Sequence, residues 1–246
     1  MSVKKNKTDP VKRTWDSEWK KYNRRPYFKP NKRVVEVIAE CFRGTLKGRK
    51  IIELGAGSGS DIISLIKKGA IGYGLDFSKE SLWTMNYWAT KKDVDLNIVK
   101  ATAEKIPFPD NYFDCVYSVG LMEHFVNPLP LFKEQIRVLK PGGFLLIDVP
   151  QKFTPYTIAK HIRMIKNTHP FGWETEYSKS DLIKLANRLR QEVFLIYGRD
   201  SDILSRFPKI LKSGSYNLFS KYIEKSFLAP YLCLCIGIVF RIKNKL

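Results

Sequence analysis

The sequence contains little cysteine, and none of it has the spacing of a zinc site. Only 4 of the 246 residues are cysteine, and Cys233 and Cys235 lie too close together for the usual pair of zinc ligands. Cys41 and Cys115 fall in apolar patterns, which predicts that their thiols are buried and reduced. This cysteine usage predicts a protein of a reducing, cytoplasmic setting.

The sequence also lacks an apolar run long enough to cross a membrane. The longest run, 227–240, is interrupted by Pro230 and Gly237 and is shorter than the roughly 20 residues that span a bilayer. We interpret it as a buried strand. The opening residues, MSVKKNKTDP, are charged and have no apolar core, so a signal peptide is not expected.

Acidic residues are scarce beside basic ones, with 24 against 43 and a formal net charge of +19. Residues 1–33 hold 12 basic and 3 acidic side chains, and residues 151–246 hold 17 and 7. The middle of the chain, 34–150, is neutral, with 14 of each. Basic flanks around a neutral centre indicate that the flanks contact something anionic. A generally lysine-rich surface with no such partner is the alternative.

What the sequence does contain is a regular alternation of strand and helix patterns. The length suits one α/β domain with additions. Alternation with short connections indicates a parallel, doubly wound sheet. Strands are predicted at 50–54, 72–76, 97–100, 113–118 and 144–149, and helices at 61–68, 78–90 and 130–139.

The end of the chain is less regular. A helix at 181–190 is predicted to begin after Ser180 as its cap. Strands at 191–197 and 231–242 are predicted to form a hairpin at the sheet edge. The insert between them, at about 199–226, has apolar residues at helical spacing beside lysine and arginine, which is typical of helices that lie on membranes. A lid packed on the sheet edge is the alternative for this insert.

The beginning of the chain has three features. Residues 1–12 are polar and are predicted to be disordered. Trp15, Trp19 and Tyr22 fall on one face of a predicted helix. Asn31 is predicted to cap a second helix. Aromatic residues among basic ones can stack on nucleic-acid bases, anchor in a membrane interface or pack on the core.

The most informative stretch is IIELGAGSGSD at 51–61, an apolar strand followed by Gly55, Gly57 and Gly59. The dinucleotide-binding pattern G-x-G-x-x-G would place its third glycine one residue later. Glu53 precedes the first glycine, where a carboxylate repels a pyrophosphate and attracts a cation. S-adenosylmethionine carries a sulfonium and an ammonium and no phosphate. The stretch therefore favours S-adenosylmethionine over a dinucleotide.

Asp76 and Phe77 follow the second predicted strand. A carboxylate at that strand end can accept hydrogen bonds from both ribose hydroxyls, as the corresponding acid does in dinucleotide folds. Phe77 can pack on the adenine face. The alternative for Asp76 is an acid favoured by the dipole of the following helix.

These stretches resemble the class I S-adenosylmethionine-dependent methyltransferases, most of all the ubiquinone and menaquinone biosynthesis subgroup. The resemblance covers about residues 48–150. It implies a Rossmann-like, seven-stranded, mostly parallel α/β sheet with an antiparallel last strand, flanked by N-terminal helices and a helical insert. The matching stretches are IIELGAGSGSD, GYGLDFSKESL, ATAEKIPFPDNYFDCVYSVGLMEHF and EQIRVLKPGGFLLIDVP.

The resemblance also implies roles for particular residues. Glu53 would lie near the amino group of S-adenosylmethionine, and Asp76 would bind its ribose. The family often has an aspartate where this chain has Thr102, which is a weaker acceptor for the adenine amino group. The full set of implied cofactor-binding residues is Glu53, Gly55, Ala56, Gly57, Ser58, Gly59, Asp76, Phe77, Thr102, Ala103, Glu104, Ser118 and Val119.

His124 is the candidate general base, because it follows the fourth strand, where the methyl group should point. The alternative is that Glu123 and His124 only brace the loop. In the ubiquinone O-methyltransferases a longer acidic motif is associated with a metal. Its earlier acid corresponds to Gly120 here, so no metal is expected.

The resemblance implies a single methyltransferase domain at 13–246, following the disordered start. In it, 13–47 would be a helical lid, 48–150 the cofactor-binding core and 151–246 the substrate side. The predicted acceptor is a small or lipid-linked, anionic molecule methylated at oxygen or carbon, with peripheral membrane contact through the insert. An RNA methyltransferase and a non-catalytic binding module are the alternatives.

Overall fold

A computed structural model describes residues 28–166, 174–200 and 228–243, together with Trp15, Trp19 and Ser226. Seven strands form one sheet in the order β3-β2-β1-β4-β5-β7-β6. The strands are β1 (Lys50–Leu54), β2 (Ile71–Asp76), β3 (Leu96–Lys100), β4 (Phe113–Val119), β5 (Leu139–Pro150), β6 (Glu192–Arg199) and β7 (Cys235–Arg241). The helices are α1 (Lys32–Cys41), α2 (Ser60–Ile66), α3 (Lys79–Lys91), α4 (Leu129–Val138), α5 (Pro155–Ile165), α6 (Lys179–Arg188) and α7 (Ala229–Leu232).

The sheet is parallel except for its last strand. β7 runs antiparallel to both of its neighbours, β5 and β6, which confirms the expected Rossmann-like fold with an antiparallel last strand. The chain order reverses between β1 and β4, which lie side by side in the middle of the sheet. In open α/β sheets such a switch point leaves a crevice at the carboxyl ends of the strands, where ligands bind.

The central strands are buried on both faces. Ile51 and Ile52 are consecutive in β1, and each packs in a different apolar cluster because successive side chains point to opposite faces. Cys115 and Val116 alternate in the same way in β4. This two-sided burial explains why these strands read as continuous apolar runs. It also confirms the buried position predicted for the Cys115 thiol, which is free.

Two predicted helix caps are corrected. The side chain of Ser178, and not Ser180, accepts from the Asp181 backbone N–H, so α6 begins two residues earlier. Asn31 occupies the cap position of α1, but its side chain makes no cap hydrogen bond. Its Nδ2 instead donates to Asp61 at 2.8 Å and thereby ties α1 to α2.

The predicted strand at 231–242 is also corrected. The short helix α7 precedes it, and the strand itself begins at Cys235. Pro230 lies in the first turn of α7, where its missing N–H costs no hydrogen bond. The predicted helices in the insert 199–226, and most of the predicted start of the chain, lie outside the described residues. Within the described ranges, no helix is both long and apolar enough to span a bilayer.

Candidate functional site

A cavity of about 250 Å³ opens at the switch point, at the carboxyl ends of β1, β2 and β4. Nine of the residues predicted to bind cofactor or substrate line it, namely Gly55, Gly57, Asp76, Phe77, Thr102, Ala103, Glu104, Val119 and His124. The other predicted residues, Glu53, Ala56, Ser58, Gly59 and Ser118, are not among its lining residues. The structure thus brings together residues from five separate stretches of the sequence.

The glycines of the loop after β1 serve different contacts. Gly57 has a φ of +55°, and a Cβ there would lie 2.8 Å from Cζ2 of Trp19, which covers the cavity. Gly59 has a φ of +72°, and its Cβ would lie 2.8 Å from Cγ of Met85 in α3. Both conformations favour glycine. The absence of a side chain at Gly57 therefore lets Trp19 lie close to the loop at the cavity, whereas the absence of one at Gly59 lets α3 pack against the loop.

Asp76 joins the glycine loop to the start of α3. Its Oδ2 accepts from the Gly57 N–H at 3.1 Å, and its Oδ1 accepts from the Ser78 N–H at 2.9 Å. Burial raises the pKa of this carboxyl, and these backbone donors oppose the rise. An ionised carboxylate has about four acceptor positions, so two backbone donors leave capacity for a ligand.

Glu53 lies beneath the loop instead of in the cavity. Its Oε2 accepts from the Ile62 N–H at 3.2 Å and from the Tyr117 hydroxyl at 2.9 Å. Burial raises the pKa of Glu53 well above its usual range, and the nearby Asp61 adds to the rise. The carboxyl holds the start of α2 against β4, and its contact with a ligand stays a prediction.

Arg137 anchors the loop that follows Ala103, and sequence reasoning missed it. Its guanidinium donates to the carbonyls of Ile106 and Phe108, each at 2.9 Å, and pairs with Glu134. Glu134 in turn accepts from the Ile106 N–H at 2.8 Å. The Arg137 guanidinium lowers the pKa of the Glu134 carboxyl. The pair lies three residues apart on α4, a spacing that places two side chains on one helix face and could have revealed it.

His124 and Glu123, which are neighbours in the chain, occupy different environments. His124 lines the cavity, and its ring contacts the edge of Trp15 with a centroid distance of 5.4 Å. Glu123 is buried, and in the described part of the protein its Oε2 has no hydrogen-bond partner. Burial raises the pKa of Glu123 to about 8.

Apolar residues of the cavity were also missed. Leu75, Ala101, Leu121 and Phe125 line it beside Gly120. A Cβ on Gly55 would lie 3.2 Å from Cδ1 of Leu121, so this leucine closes over the loop. Each of these residues borders a motif that the sequence did reveal, but an apolar side chain gives no signal of its own. Among the described residues, no group of three or more His, Cys, Asp or Glu side chains could hold a metal ion.

Comparisons with known proteins agree with this geometry. The family model described as a methyltransferase domain matches residues 52–147. A ubiquinone biosynthesis O-methyltransferase of Alkalilimnicola ehrlichii is 28% identical over 196 residues, which cover 76% of this chain and 78% of that protein. The protein of the same name from Aliivibrio fischeri is 31% identical over 142 residues, which cover 57% of this chain and 58% of that protein.

The fold has counterparts among solved structures. The chain superimposes on an S-adenosylmethionine-dependent methyltransferase from Thermotoga maritima with a TM-score of 0.63 at 18% identity. The match covers 95% of this chain and all of the other. At this identity the likeness extends to the fold alone.

Proposed function

We propose that this chain, which matches the methyltransferase domain family over residues 52–147, uses S-adenosylmethionine to methylate an oxygen of a small or lipid-linked acceptor. The observation that supports this most directly is that the glycine loop, Asp76 and His124 line one and the same cavity. Such a cavity can hold the methyl donor and the acceptor in contact. Methyl transfer needs mainly this proximity and alignment.

The residues present fit S-adenosylmethionine. Asp76 keeps acceptor capacity for the ribose hydroxyls, and Gly57 lets a ligand approach the loop backbone. Phe77 and Ala103 offer apolar surfaces for the adenine. Val119, at the end of β4, lines the same cavity. When bound, S-adenosylmethionine supplies a methyl carbon that its sulfonium has already activated.

The chain's own residues then exclude water and remove a proton. Trp15 and Trp19 cover the cavity with indole rings, which keeps bulk water from the reacting groups. An acceptor hydroxyl must lose its proton as the new bond to oxygen forms. We assign the acceptance of this proton to the imidazole of His124, which lines the cavity. General base catalysis of this kind contributes about 10²- to 10⁴-fold to a rate.

The names of the relatives support a quinone-type acceptor, because two of them are ubiquinone biosynthesis O-methyltransferases. A phenolic ring with a lipid tail has both a hydroxyl to methylate and an apolar body. The apolar residues around His124, such as Leu121 and Phe125, suit that body. The RNA and non-catalytic alternatives are not favoured by these names.

The test follows a labelled methyl group from S-adenosylmethionine into a water-soluble catechol and into a polyprenyl catechol. We expect transfer to the ring hydroxyl. The His124→Ala variant should lower kcat by 10²-fold or more, and the control His161→Ala, on α5, should not change it. Transfer that appears only in the RNA fraction of a cell extract, or equal rates for both variants, would contradict the proposal.

A further inference from the structure

Helix α5 buries a charged side chain and exposes its apolar side. Lys160 is fully buried, whereas Ile158, Ile162 and Ile165, on the opposite face, are exposed. A helix on the surface of a globular protein normally shows the reverse arrangement. Burying a cation is costly unless it is paired, so the partners of Lys160 determine the orientation of α5.

Two carboxylates hold Lys160. Its Nζ lies 2.8 Å from the Glu174 carboxylate and 2.6 Å from that of Glu176. Burial by itself lowers the pKa of Lys160, but the hydrogen bonds to the two carboxylates outweigh this effect and raise the pKa above its usual value. Rotating α5 to bury its isoleucines would separate both ion pairs, which is strongly unfavourable. One buried cation thus fixes the chain on both sides of Thr175.

Thr175 holds the peptide group that joins Glu123 to His124. This peptide lies in a short 3₁₀ turn, Met122–His124. Its carbonyl, on Glu123, accepts from the Thr175 N–H at 2.9 Å, and its N–H, on His124, donates to the Leu121 carbonyl at 3.2 Å. Because a peptide group is planar, hydrogen bonds at its two ends fix its orientation. That orientation determines where the side chain of His124 leaves the backbone.

The segment that contains Thr175 is also attached to the sheet. The Tyr177 N–H donates to the carbonyl of Pro150 in β5 at 3.2 Å, and the Tyr177 carbonyl accepts from the Lys152 N–H at 3.1 Å. The segment is therefore bonded to β5 through its backbone and to α5 through its carboxylates. It forms a fixed support against which the turn with His124 rests.

The ion pairs of Lys160 lie close to this turn. Burial is the main cause of the raised pKa of the Glu123 carboxyl, the charge of Glu174 adds to the rise, and the charge of Lys160 opposes it. Such effects weaken with distance. The electrostatics thus agree with the hydrogen bonds in connecting Lys160 to the turn.

We propose that Lys160 is a positioning residue that holds His124 in the orientation required for methyl transfer. It acts through Glu174 and Thr175 on the peptide group of His124. This role deepens the proposed function, and it rests on the assignment of His124 as the general base. A displacement of about 1 Å at a reacting group can cost about 10²-fold in rate. Loosening the support should therefore slow methyl transfer without weakening the binding of S-adenosylmethionine.

The test is a double-mutant cycle between Lys160→Met and His124→Ala, measured as single-turnover rates of methyl transfer to the water-soluble catechol. We expect Lys160→Met to lower the rate by about 10- to 100-fold and to leave affinity for S-adenosylmethionine unchanged. In the His124→Ala background the same substitution should have almost no further effect, because it acts through the imidazole. The control Lys166→Met, at an exposed position directly after α5, should change neither quantity.

A second variant separates positioning from stability. Lys160→Met combined with Glu174→Gln and Glu176→Gln leaves no charge of these ion pairs buried without its partner, so the fold should be retained. This variant should show the same loss of rate as Lys160→Met. An unchanged rate in this folded variant, or equal losses from Lys160→Met with and without His124, overturns the proposal.

A second measurement needs no methyl transfer. Hydrogen exchange of the Thr175 amide, measured relative to that of Val116 in the central strand β4, should become about tenfold faster or more in Lys160→Met and stay unchanged in Lys166→Met. Equal exchange in the two variants overturns the proposal. If His124→Ala alone does not slow methyl transfer, the proposed function is contradicted, and the exchange of Thr175 then decides separately whether Lys160 fixes the turn.

Discussion

The middle of the sheet, around the glycine loop, and its side at β5, β7 and β6 stabilise their buried carboxylates in different ways. Around the glycine loop, Glu53 and Asp76 accept hydrogen bonds from backbone N–H groups and a tyrosine hydroxyl. On the other side, Asp148 in β5 pairs with Arg199 at 2.8 Å, and Glu174 and Glu176, which follow β5 in the chain, pair with Lys160. The first set of donors is neutral, whereas the second includes a cation at every carboxylate, beside the Tyr197 hydroxyl that donates to Asp148.

This difference distinguishes carboxylates that can bind a ligand from carboxylates that stabilise the fold. Neutral donors add no positive charge, so an ionised Asp76 beside the glycine loop would favour a cationic ligand such as a sulfonium. Each of the second set of carboxylates lies beside a cation, and breaking a buried ion pair is costly. The ion pairs beyond β5 therefore hold elements in place, including the orientation of α5.

The largest effect expected from this comparison is the loss of Lys160. The Lys160→Met variant leaves Glu174 without this cation and Glu176 with His161 as its remaining partner, and the free energy of unfolding should fall by about 3–5 kcal/mol. Affinity for S-adenosylmethionine should not change at temperatures where the variant is folded. Urea denaturation and calorimetry measure the two quantities.

The control for this variant is Lys166→Met, which removes an exposed lysine one residue after the same helix. It should change stability by less than about 0.5 kcal/mol. Similar stabilities for the two variants would show that the buried ion pairs do not support this end of the sheet.

The Glu123 carboxyl belongs to neither group, because its Oε2 has neither a neutral nor a cationic hydrogen-bond donor among the described residues. Burial raises the pKa of Glu123 from the ordinary 4.5 of a glutamic acid to about 8, so the native state binds more protons than the unfolded state between these pH values. The parent protein should therefore lose stability as pH rises from 5 to 8. By pH 7 the loss attributable to Glu123 should be about 3 kcal/mol, at about 1.4 kcal/mol for each pKa unit.

The Glu123→Gln variant cannot ionise and should lack this part of the pH dependence. Urea denaturation of both proteins at pH 5, 6, 7 and 8 measures the difference. Parallel curves would mean that Glu123 is ionised in the native protein at all of these pH values.

A variant at Asp76 tests the role of the carboxylates around the glycine loop. The Asp76→Asn variant keeps one acceptor but loses the charge, and affinity for S-adenosylmethionine should fall by about 10- to 100-fold, or about 1.4–2.8 kcal/mol. Asp95→Asn, an exposed carboxylate just before β3, is the matched control and should bind normally. If calorimetry shows that Asp76→Asn binds S-adenosylmethionine as tightly as the parent protein, Asp76 does not bind the ribose.

The parts of the molecule that the sequence predicts well are those with a local cause. β1 was predicted residue for residue, because an apolar run ends there at a glycine loop. Asp76 reaches the cavity because a strand end fixes its position. The placement of Glu53 could not be predicted, since the direction of its carboxyl depends on Tyr117, 64 residues away in the chain.

Long-range pairings explain the other differences. The inverted orientation of α5 depends on Glu174 and Glu176, which lie beyond the helix in the chain. Asn31 has the residue type of a helix cap, but Asp61 competes for its side chain. A propensity describes what a residue can do locally, and a charged partner from elsewhere in the fold overrides it.

The smallest expected effect concerns α6, where a carboxylate near β6 has neutral donors instead of a cation. Asp181 lies beyond β5, yet it accepts from the Ser178 hydroxyl and backbone, and these bonds lower its pKa. Ser178→Ala should cost about 1 kcal/mol of stability, whereas Ser180→Ala should leave the cap and most of that stability intact.

The effect of the cap should also depend on pH. Because the folded pKa of Asp181 is lowered, the stability that its carboxylate contributes is present above its unfolded pKa and disappears as pH falls through the folded value. The difference between the two variants, measured by urea denaturation, should therefore be larger at pH 7 than at pH 3. A larger loss of stability for Ser180→Ala than for Ser178→Ala would show that Ser180 caps α6, as the sequence predicted.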